Sequence, residues 1–307
     1  MLQVNDIYYI NQRVAIVRVN PQKADPNFIF FQVATDENEQ YFFNKANGAG
    51  QPNLSATQIG ELLISLPPYK TQAKIGLILK NYNNLIENNQ KQIKLLEEAA
   101  QRLYKEWFVD FRFPGHGTTP IIDGMPDGWY WGTLDNIIEY HDKKRQPLSS
   151  LERESFKGNY RYFGAAGILD YVKDYLFDGT YLLLGEDGTV INNNGSPVLQ
   201  YVTGRFWVNN HAHVLTGKDY FSTEYLYIMF KNVKVTDVVT GVAQPKISQA
   251  RLSAKKVLIP AKQHVILYSN KIKAIMDKIL LLQVQNDSLI ELRNRLLSKL
   301  MQGKIEV

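Results

Sequence analysis

Apolar residues between Pro68 and Pro114 fall on a narrow stripe. Leu79, Tyr82, Ile86, Ile93, Leu96, Ala100, Leu103 and Trp107 recur at steps of three and four, and Asn89 is the polar break. That spacing predicts one long amphipathic helix whose seam is built to pack on another long helix. About 40 residues at ~1.5 Å each would make a rod of roughly 60 Å. A stripe that long needs a partner of equal length. A second stripe supplies it, with Ile272, Ile275, Ile279, Leu282, Asn286, Leu289, Arg293, Leu296 and Leu300. The expected helix-packing residues are Leu79, Ile86, Ile93, Leu96 and Leu103 on the first rod. On the second they are Ile272, Ile279, Leu289 and Leu296.

The two rods are related by an offset of 244 − 51 = 193 positions, which carries Gln51-Pro52 onto Gln244-Pro245. The same offset takes Ser55 to Ser248, Pro67 to Pro260, Ile86 to Ile279, Leu96 to Leu289 and Arg102 to Arg295. No gap is needed from Gly48 and Gly241 to Phe108 and Met301. Two unrelated helices could share heptads. The common Gln-Pro-x-x-Ser and the common proline before each rod argue instead for a duplicated domain-plus-helix unit. On this count Met1 corresponds to Asn194, so the first copy is expected to lack the front half that Trp129 to about Asn193 supply in the second.

Outside the rods the pattern shortens. Residues 6–10 and 13–19 are rich in β-branched and aromatic side chains and predict strands. Residues 26–33 fit a short helix or a strand. Residues 48–55 read as a turn, 62–66 as a short apolar strand, and 115–128 as a Gly/Pro/Thr-rich linker. Trp107 to Phe113 form an aromatic cluster expected to anchor the rod's end on the next domain. From Gly128 to about Pro260, strand-like runs at 181–184, 198–202, 206–208 and 212–215 alternate with turn sequences at Gly185-Glu-Asp-Gly and Asn192-Asn-Asn-Gly. Ser222 to Phe230 predicts a capped helix. The result is a mixed α/β domain with more strand than helix.

Composition narrows the function classes. At 307 residues about two domains are expected, and 45% apolar with 12% aromatic residues excludes a disordered chain. Lys plus Arg exceed Asp plus Glu by 35 − 30 = 5, which permits nucleic-acid binding without demanding it. The chain has no cysteine, so disulfides, thiolate metal sites and a cysteine nucleophile are excluded. No apolar run reaches the length of a membrane span, and the start does not read as a signal peptide, so no membrane is expected and the cytoplasm is the expected compartment.

Catalytic signatures are absent: no Walker loop, GxGxxG, GxSxG or HExxH occurs. No Asn/Asp-Pro-Pro-Tyr/Phe of an amino-methyltransferase occurs either. His211 and His213 would share one side of a strand, which suits a metal, but no carboxylate pattern joins them. They read as structural histidines, and no metal ligand is assigned. Glu186-Asp187 and Asp178 read as solvated turn carboxylates. Nucleic-acid readout is better supported. Lys143, Lys144, Arg145, Lys157 and Arg161 offer cations, with Tyr160 among them. Asn192, Asn193, Arg205, Asn209, Asn210, Gln244 and Lys246 add amides and further cations in loops. Cations neutralise phosphates, while Asn, Gln and Arg read base edges.

Five segments carry a family resemblance. They are Leu-Pro-Pro-x-x-x-Gln at 66–72, the run from Leu95 to Phe111, Gly-Trp-x-x-Gly-Thr-Leu at 128–134, Phe206 to Val214, and Leu296 to Ile305. With them the chain resembles the DNA-specificity subunit of type I restriction–modification systems over nearly all its length. The resemblance implies an α+β protein, with mixed α/β target-recognition domains joined by two long helices packed as an antiparallel coiled coil. It implies the following division: a remnant of the first recognition domain at 1–67, the central conserved helix at 68–113, and a linker at 114–127. The second recognition domain is at 128–260 and the distal conserved helix at 261–307. Each recognition domain of the family reads half of a split site in double-stranded DNA. The helices act as a spacer and recruit two modification (methyltransferase) subunits, and restriction subunits indirectly. Another specificity chain is a further partner the rods allow. Methyl donor and catalysis belong to the partners, so neither cofactor nor enzymatic activity is expected here. The alternative is a silent or decoy specificity protein that assembles through its helices and binds DNA poorly.

Overall fold

Helix starts in this chain are marked by side chains that accept from free first-turn amides. The computed structural model describes Tyr9, Asn11 and residues 14–46, 53–241 and 243–306. Asp25 caps α1 (Pro26–Val33), whose first residue is the proline that a helix start tolerates. Thr35 caps α2 (Asp36–Lys45), and Ser55 with Gln58 closes a capping box on α3 (Ala56–Gly60). The first long rod is α4 (Tyr69–Tyr104). Ser149, Ser222 and Ser248 cap α5 (Ser150–Ser155), α6 (Thr223–Asn232) and α7 (Gln249–Ala254). The second rod is α8 (Lys262–Met301).

Strands occur between residues 121 and 259. They are β1 (Ile121–Ile122), β2 (Met125–Pro126), β3 (Tyr130–Thr133), β4 (Ile138–Tyr140), β5 (Lys157–Phe163) and β6 (Ile168–Val172). Then follow β7 (Phe177–Gly185), β8 (Leu199–Val208), β9 (Ala212–Gly217), β10 (Val239–Thr240), β11 (Lys246–Ile247) and β12 (Lys256–Ile259). The central sheet has the order β4-β9-β7-β8-β5-β6. All its pairings are antiparallel except β5 with β8, where Arg161, Tyr162 and Phe163 lie opposite Phe206, Trp207 and Val208. The runs expected at 198–202 and 206–208 are one continuous strand.

The chain divides into two compact units, Met1–Ile93 with Leu280–Val307, and Lys94–Ile279. In the first, Phe28, Ile29 and Phe31 of α1 bury against Ile75 and Leu79 of α4 and Leu300 of α8. Arg293 donates from Nη1 to Asn83 Oδ1 at 2.8 Å, so a charged seam residue finds its acceptor on the facing helix. The start of α4 therefore meets the end of α8. In the second unit the end of α4 meets the start of α8, where the Tyr268 hydroxyl donates to Ala100 O at 3.2 Å and its ring lies 6.0 Å from Tyr104. Among the expected seam residues, Leu79, Ile86, Ile272 and Ile279 are buried, and Ile93, Leu96, Leu103, Leu289 and Leu296 are half-buried. Asn286 keeps a buried Oδ1 with no described donor, a polar cost inside the apolar seam.

After Tyr104 the helix widens. Asp110 N donates to Lys105 O and Arg112 N to Glu106 O, at 2.8 and 2.7 Å. The first of these is a five-residue step, the mark of a π-type turn. It delivers Trp107, Phe108 and Phe113 into an aromatic cluster with Trp129, Tyr225 and Tyr268. Burial raises the phenols of Tyr104, Tyr225 and Tyr268, so this cluster stays uncharged.

Two expectations change, and one left open is decided. Residues 14–19 form no strand: Val14, Ile16 and Val17 are exposed, and no described strand offers them a ladder. Residues 26–33 are helical because Asp25 and Pro26 favour a helix start. Residues 62–66 are extended but unpaired. The strand expected at 6–10 lies outside the described residues apart from Tyr9, as do Arg13 and residues 48–52 of the expected turn.

The sequence repeat is a backbone repeat. Helix α3 starts at 56 and α7 at 249, and α4 starts at 69 and α8 at 262, both 193 apart. Ile59 N–Ser55 O, Leu62 N–Ile59 O, Thr71 N–Pro68 O and Gln72 N–Pro68 O recur as Leu252 N–Ser248 O, Lys255 N–Leu252 O, His264 N–Ala261 O and Val265 N–Ala261 O.

Gly76 shows how tightly α1 sits on α4. A Cβ there would meet Asp25 Oδ1 at 2.5 Å and Phe28 N at 2.9 Å. Alanine would gain ~1 kcal/mol of helix propensity. It would lose about 1–3 kcal/mol to overpacking and disturb the Asp25 cap, worth ~1 kcal/mol. Gly76→Ala is expected to destabilise the protein by about 1–3 kcal/mol on this balance. Urea unfolding followed by circular dichroism checks it, and a variant as stable as the parent would contradict the packing account.

Candidate nucleic-acid interface

Four connecting segments converge on Glu186. They follow β4 (141–149), β7 (186–198) and β8 (209–211), or precede α7 (243–247). Glu186 N donates to His211 O, and Glu186 O accepts from Ile247 N, both at 2.8 Å. Its carboxylate takes Arg145 Nη1 at 2.7 Å and Lys246 Nζ at 3.3 Å. Arg145 also donates to Ala212 O at 2.8 Å and Asp142 O at 3.0 Å. Arg145 is thus spent on holding loops together, and its guanidinium is not presented to solvent.

Beneath Arg145 lies His213, buried on β9. Its Nε2 faces Ile247 O at 2.8 Å and its Nδ1 faces Asp142 Oδ2 at 2.6 Å. Asp142 Oδ1 accepts from Val214 N at 2.8 Å. Burial alone would raise the Asp142 carboxyl. The His213 hydrogen bond and charge, the Val214 amide and Arg145 outweigh it and hold the group below the usual carboxylate range. Ligand atoms of Asp142, Glu186 and His213 lie within 4.8 Å of one another, close enough for a metal ion. Arg145 Nη1 and Nη2 already stand 2.7 and 3.5 Å from the Glu186 and Asp142 oxygens, so the cluster carries its own cation.

The expected histidine pair is split by burial: His211 is exposed and bonded to Asp187, while His213 is buried against Asp142. Carboxylates do join both, and they come from 24 and 71 positions away, beyond the reach of local spacing. Glu186 is correspondingly no solvated turn residue.

Around this cluster Lys143 and Lys144 are exposed and, among the described residues, unpaired with any carboxylate. Asn210, Gln244 and Lys246 are exposed beside them. Asn209 is buried, its Oδ1 accepting from His211 N at 2.8 Å. Asn192 ties its own turn, donating to Ser196 Oγ at 3.2 Å and Pro197 O at 2.9 Å, and Asn193 is exposed at the tip.

A second group lies on β5, β6 and β8. Lys157 pairs with Asp170 at 2.8 Å, and Arg161 donates to Thr203 O at 2.6 Å. Arg205 pairs with Asp178 at 3.0 Å and lies 4.7 Å over the Tyr175 ring, which packs 5.1 Å from Tyr160. Asp178, read from sequence as a turn carboxylate, instead orients that guanidinium. Tyr175, in the turn between β6 and β7, carried no signal in the sequence, since its partners Arg205 and Tyr160 lie on β8 and β5.

A family model described as the type I restriction modification DNA specificity domain matches residues 2–98 and 126–292. The chain belongs to that family. It is 35% identical over 130 residues to a Haemophilus influenzae chain named as a type I restriction enzyme specificity subunit, covering 42% of this chain and 33% of that one. The MjaIX specificity subunit of a Methanocaldococcus jannaschii type I restriction enzyme is 24% identical over 301 residues, 91% of this chain and 69% of that one. The chain therefore spans a third of the first relative and about seven tenths of the second. The crystal structure of a type I restriction–modification S subunit from M. genitalium shares the fold, with TM-score 0.61 and 17% identity over 92% of this chain and 74% of that one.

Removing Arg145 would leave two carboxylates in the cluster short of their cation. Arg145→Ala is expected to cost about 3–5 kcal/mol, against less than ~0.5 kcal/mol for exposed Lys144→Ala. Asp142 titrates lower folded than unfolded. Its contribution is therefore present above pH ~4 and lost as pH falls through the depressed value. Denaturant unfolding from neutral to acid pH measures both effects. Equal stability of the two variants would refute the anchoring role.

Proposed function

We infer that this chain is the DNA-specificity component of a type I restriction–modification complex. It reads double-stranded DNA through the 128–260 region and recruits two modification subunits through α4 and α8. Methylation and cleavage belong to those partners, and restriction subunits join through them. The observation that carries the reading is the convergence at Glu186. Exposed Lys143, Lys144, Gln244 and Lys246, from two loops distant in sequence, are held there on a rigid anchor. Fixed cations set register on a duplex, and neighbouring amides can then meet base edges.

The second group contributes differently. Lys157 and Arg205 are each neutralised by a carboxylate, so they must exchange partners before binding phosphate. Arg205, braced on Tyr175, is suited to planar recognition once Asp178 releases it. Exposed apolar residues on the rods, Leu77, Leu85 and Leu95 on α4 and Leu281, Val284 and Leu292 on α8, offer surface for partner helices.

The test is purification with and without a modification subunit, followed by gel-shift titration at several salt concentrations. Specific binding that needs the complex supports the reading. The Lys143→Ala, Lys144→Ala double variant is expected to flatten the salt slope by roughly 0.9 for each phosphate that is no longer neutralised. An assembled complex without DNA binding would favour the decoy alternative, and an unchanged slope would remove these lysines from the interface.

A further inference from the structure

The two copies of the repeat differ at one edge. In the second copy, Lys256 to Ile259 is strand β12, and β3 lies on it antiparallel. Lys256, Val257, Leu258 and Ile259 stand opposite Thr133, Gly132, Trp131 and Tyr130. Leu134 N extends the ladder by donating to Lys255 O at 3.0 Å, and the turn at residues 134–136 packs on α7. The counterparts in the first copy, 193 positions earlier, are Leu62 to Leu66. They have the same approach from a capped short helix and the same exit through a proline into a long helix. Yet no described strand pairs with them.

Burial records the difference between the two copies. Ile259 is 1% exposed and its counterpart Leu66 is 48% exposed. Val257 is buried and its counterpart Ile64 only half-buried. The cover over Ile259 is β3, and the fit is close: a Cβ on Gly132 would meet Ile259 Cγ1 at 2.8 Å. Leu62 O, the counterpart of Lys255 O, receives no hydrogen bond from any described residue. Among the described residues, then, 62–66 are an extended segment with an open ladder and an uncovered leucine, an edge suited to strand addition.

We propose that residues 62–66 form a docking edge for an extended Gly-Trp-x-x-Gly-Thr-Leu segment carried by another polypeptide. The segment adds antiparallel, with its second glycine opposite Ile64 and the residue two before it opposite Leu66. The register is that of β3 on β12 moved by the repeat. Glycine is required opposite Ile64 for the same reason that Gly132 is required beside Ile259. The chain's own 128–134 segment has this sequence but is held on β12. The edge thus selects partners that present this sequence as an extended segment.

The test uses the full chain and a synthetic peptide with the sequence of residues 126–137. Hydrogen exchange is followed by mass spectrometry at millimolar peptide. The expected result is slowed exchange at residues 62–66 that saturates with peptide. It should be abolished by Gly132→Val in the peptide or by Leu66→Asp in the chain. Leu66 is half-exposed, so the L66D chain should melt with the parent; the peptide variant tests the register whether or not it does. No protection at 62–66, protection that survives the Gly132→Val peptide, or protection confined to 256–259 would each overturn the proposal.

Discussion

A 36-residue helix with an apolar stripe cannot stand alone in water. Covering that stripe is the constraint from which the rest of this protein follows. Each buried leucine or isoleucine contributes about 1.5–3 kcal/mol, so a seam holding Leu79, Ile86, Ile272 and Ile279 outweighs its polar interruptions. Those interruptions still matter. Arg293 reaches Asn83, and Asn286 keeps an unsatisfied oxygen. A slipped pairing would bury Arg293 without its acceptor, so register is enforced through the penalty for misplacing a charge. The same rods carry α1 in one unit and the aromatic cluster around Phe108 in the other.

The rods were readable because helical period and repeat are one-dimensional properties. Counting threes and fours finds a stripe, and the offset of Ser55 to Ser248 finds a duplication that the backbone hydrogen bonds reproduce. Strands failed where pairing decided the outcome. Residues 62–66 and 256–259 are both short and apolar, yet only the second becomes a strand, because β3 lies beside it. β-propensity describes fitness for a ladder and does not supply the neighbour. Residues 14–19 fail for the same reason.

The candidate interface was half legible. Exposed Lys143 and Lys144 could be found from a basic cluster in a loop. Arg145, next to them in sequence, points into the protein, because Glu186 lies 41 positions away and offers a bidentate-capable partner at 2.7 Å. No local spacing announces such a pair. The carboxylates on His211 and His213 were hidden likewise, in loops that only the sheet order brings together.

This division of the cations has a mechanical logic. A protein that reads base edges must place amides and guanidiniums to within fractions of an ångström, and loops ordered only on binding would lose affinity to that ordering. Arg145 and His213 are charge-bearing or polar groups used to stiffen four loops from below, before any partner arrives. Lys143 and Lys144 stay outside that scaffold, and their charge remains available for long-range attraction to phosphate. Lys157 and Arg205 sit between these extremes, each held by a carboxylate. On the function proposed above, exchanging that carboxylate for phosphate would make their contribution conditional on close approach, and the cations that attract a duplex would be distinct from those able to discriminate along it.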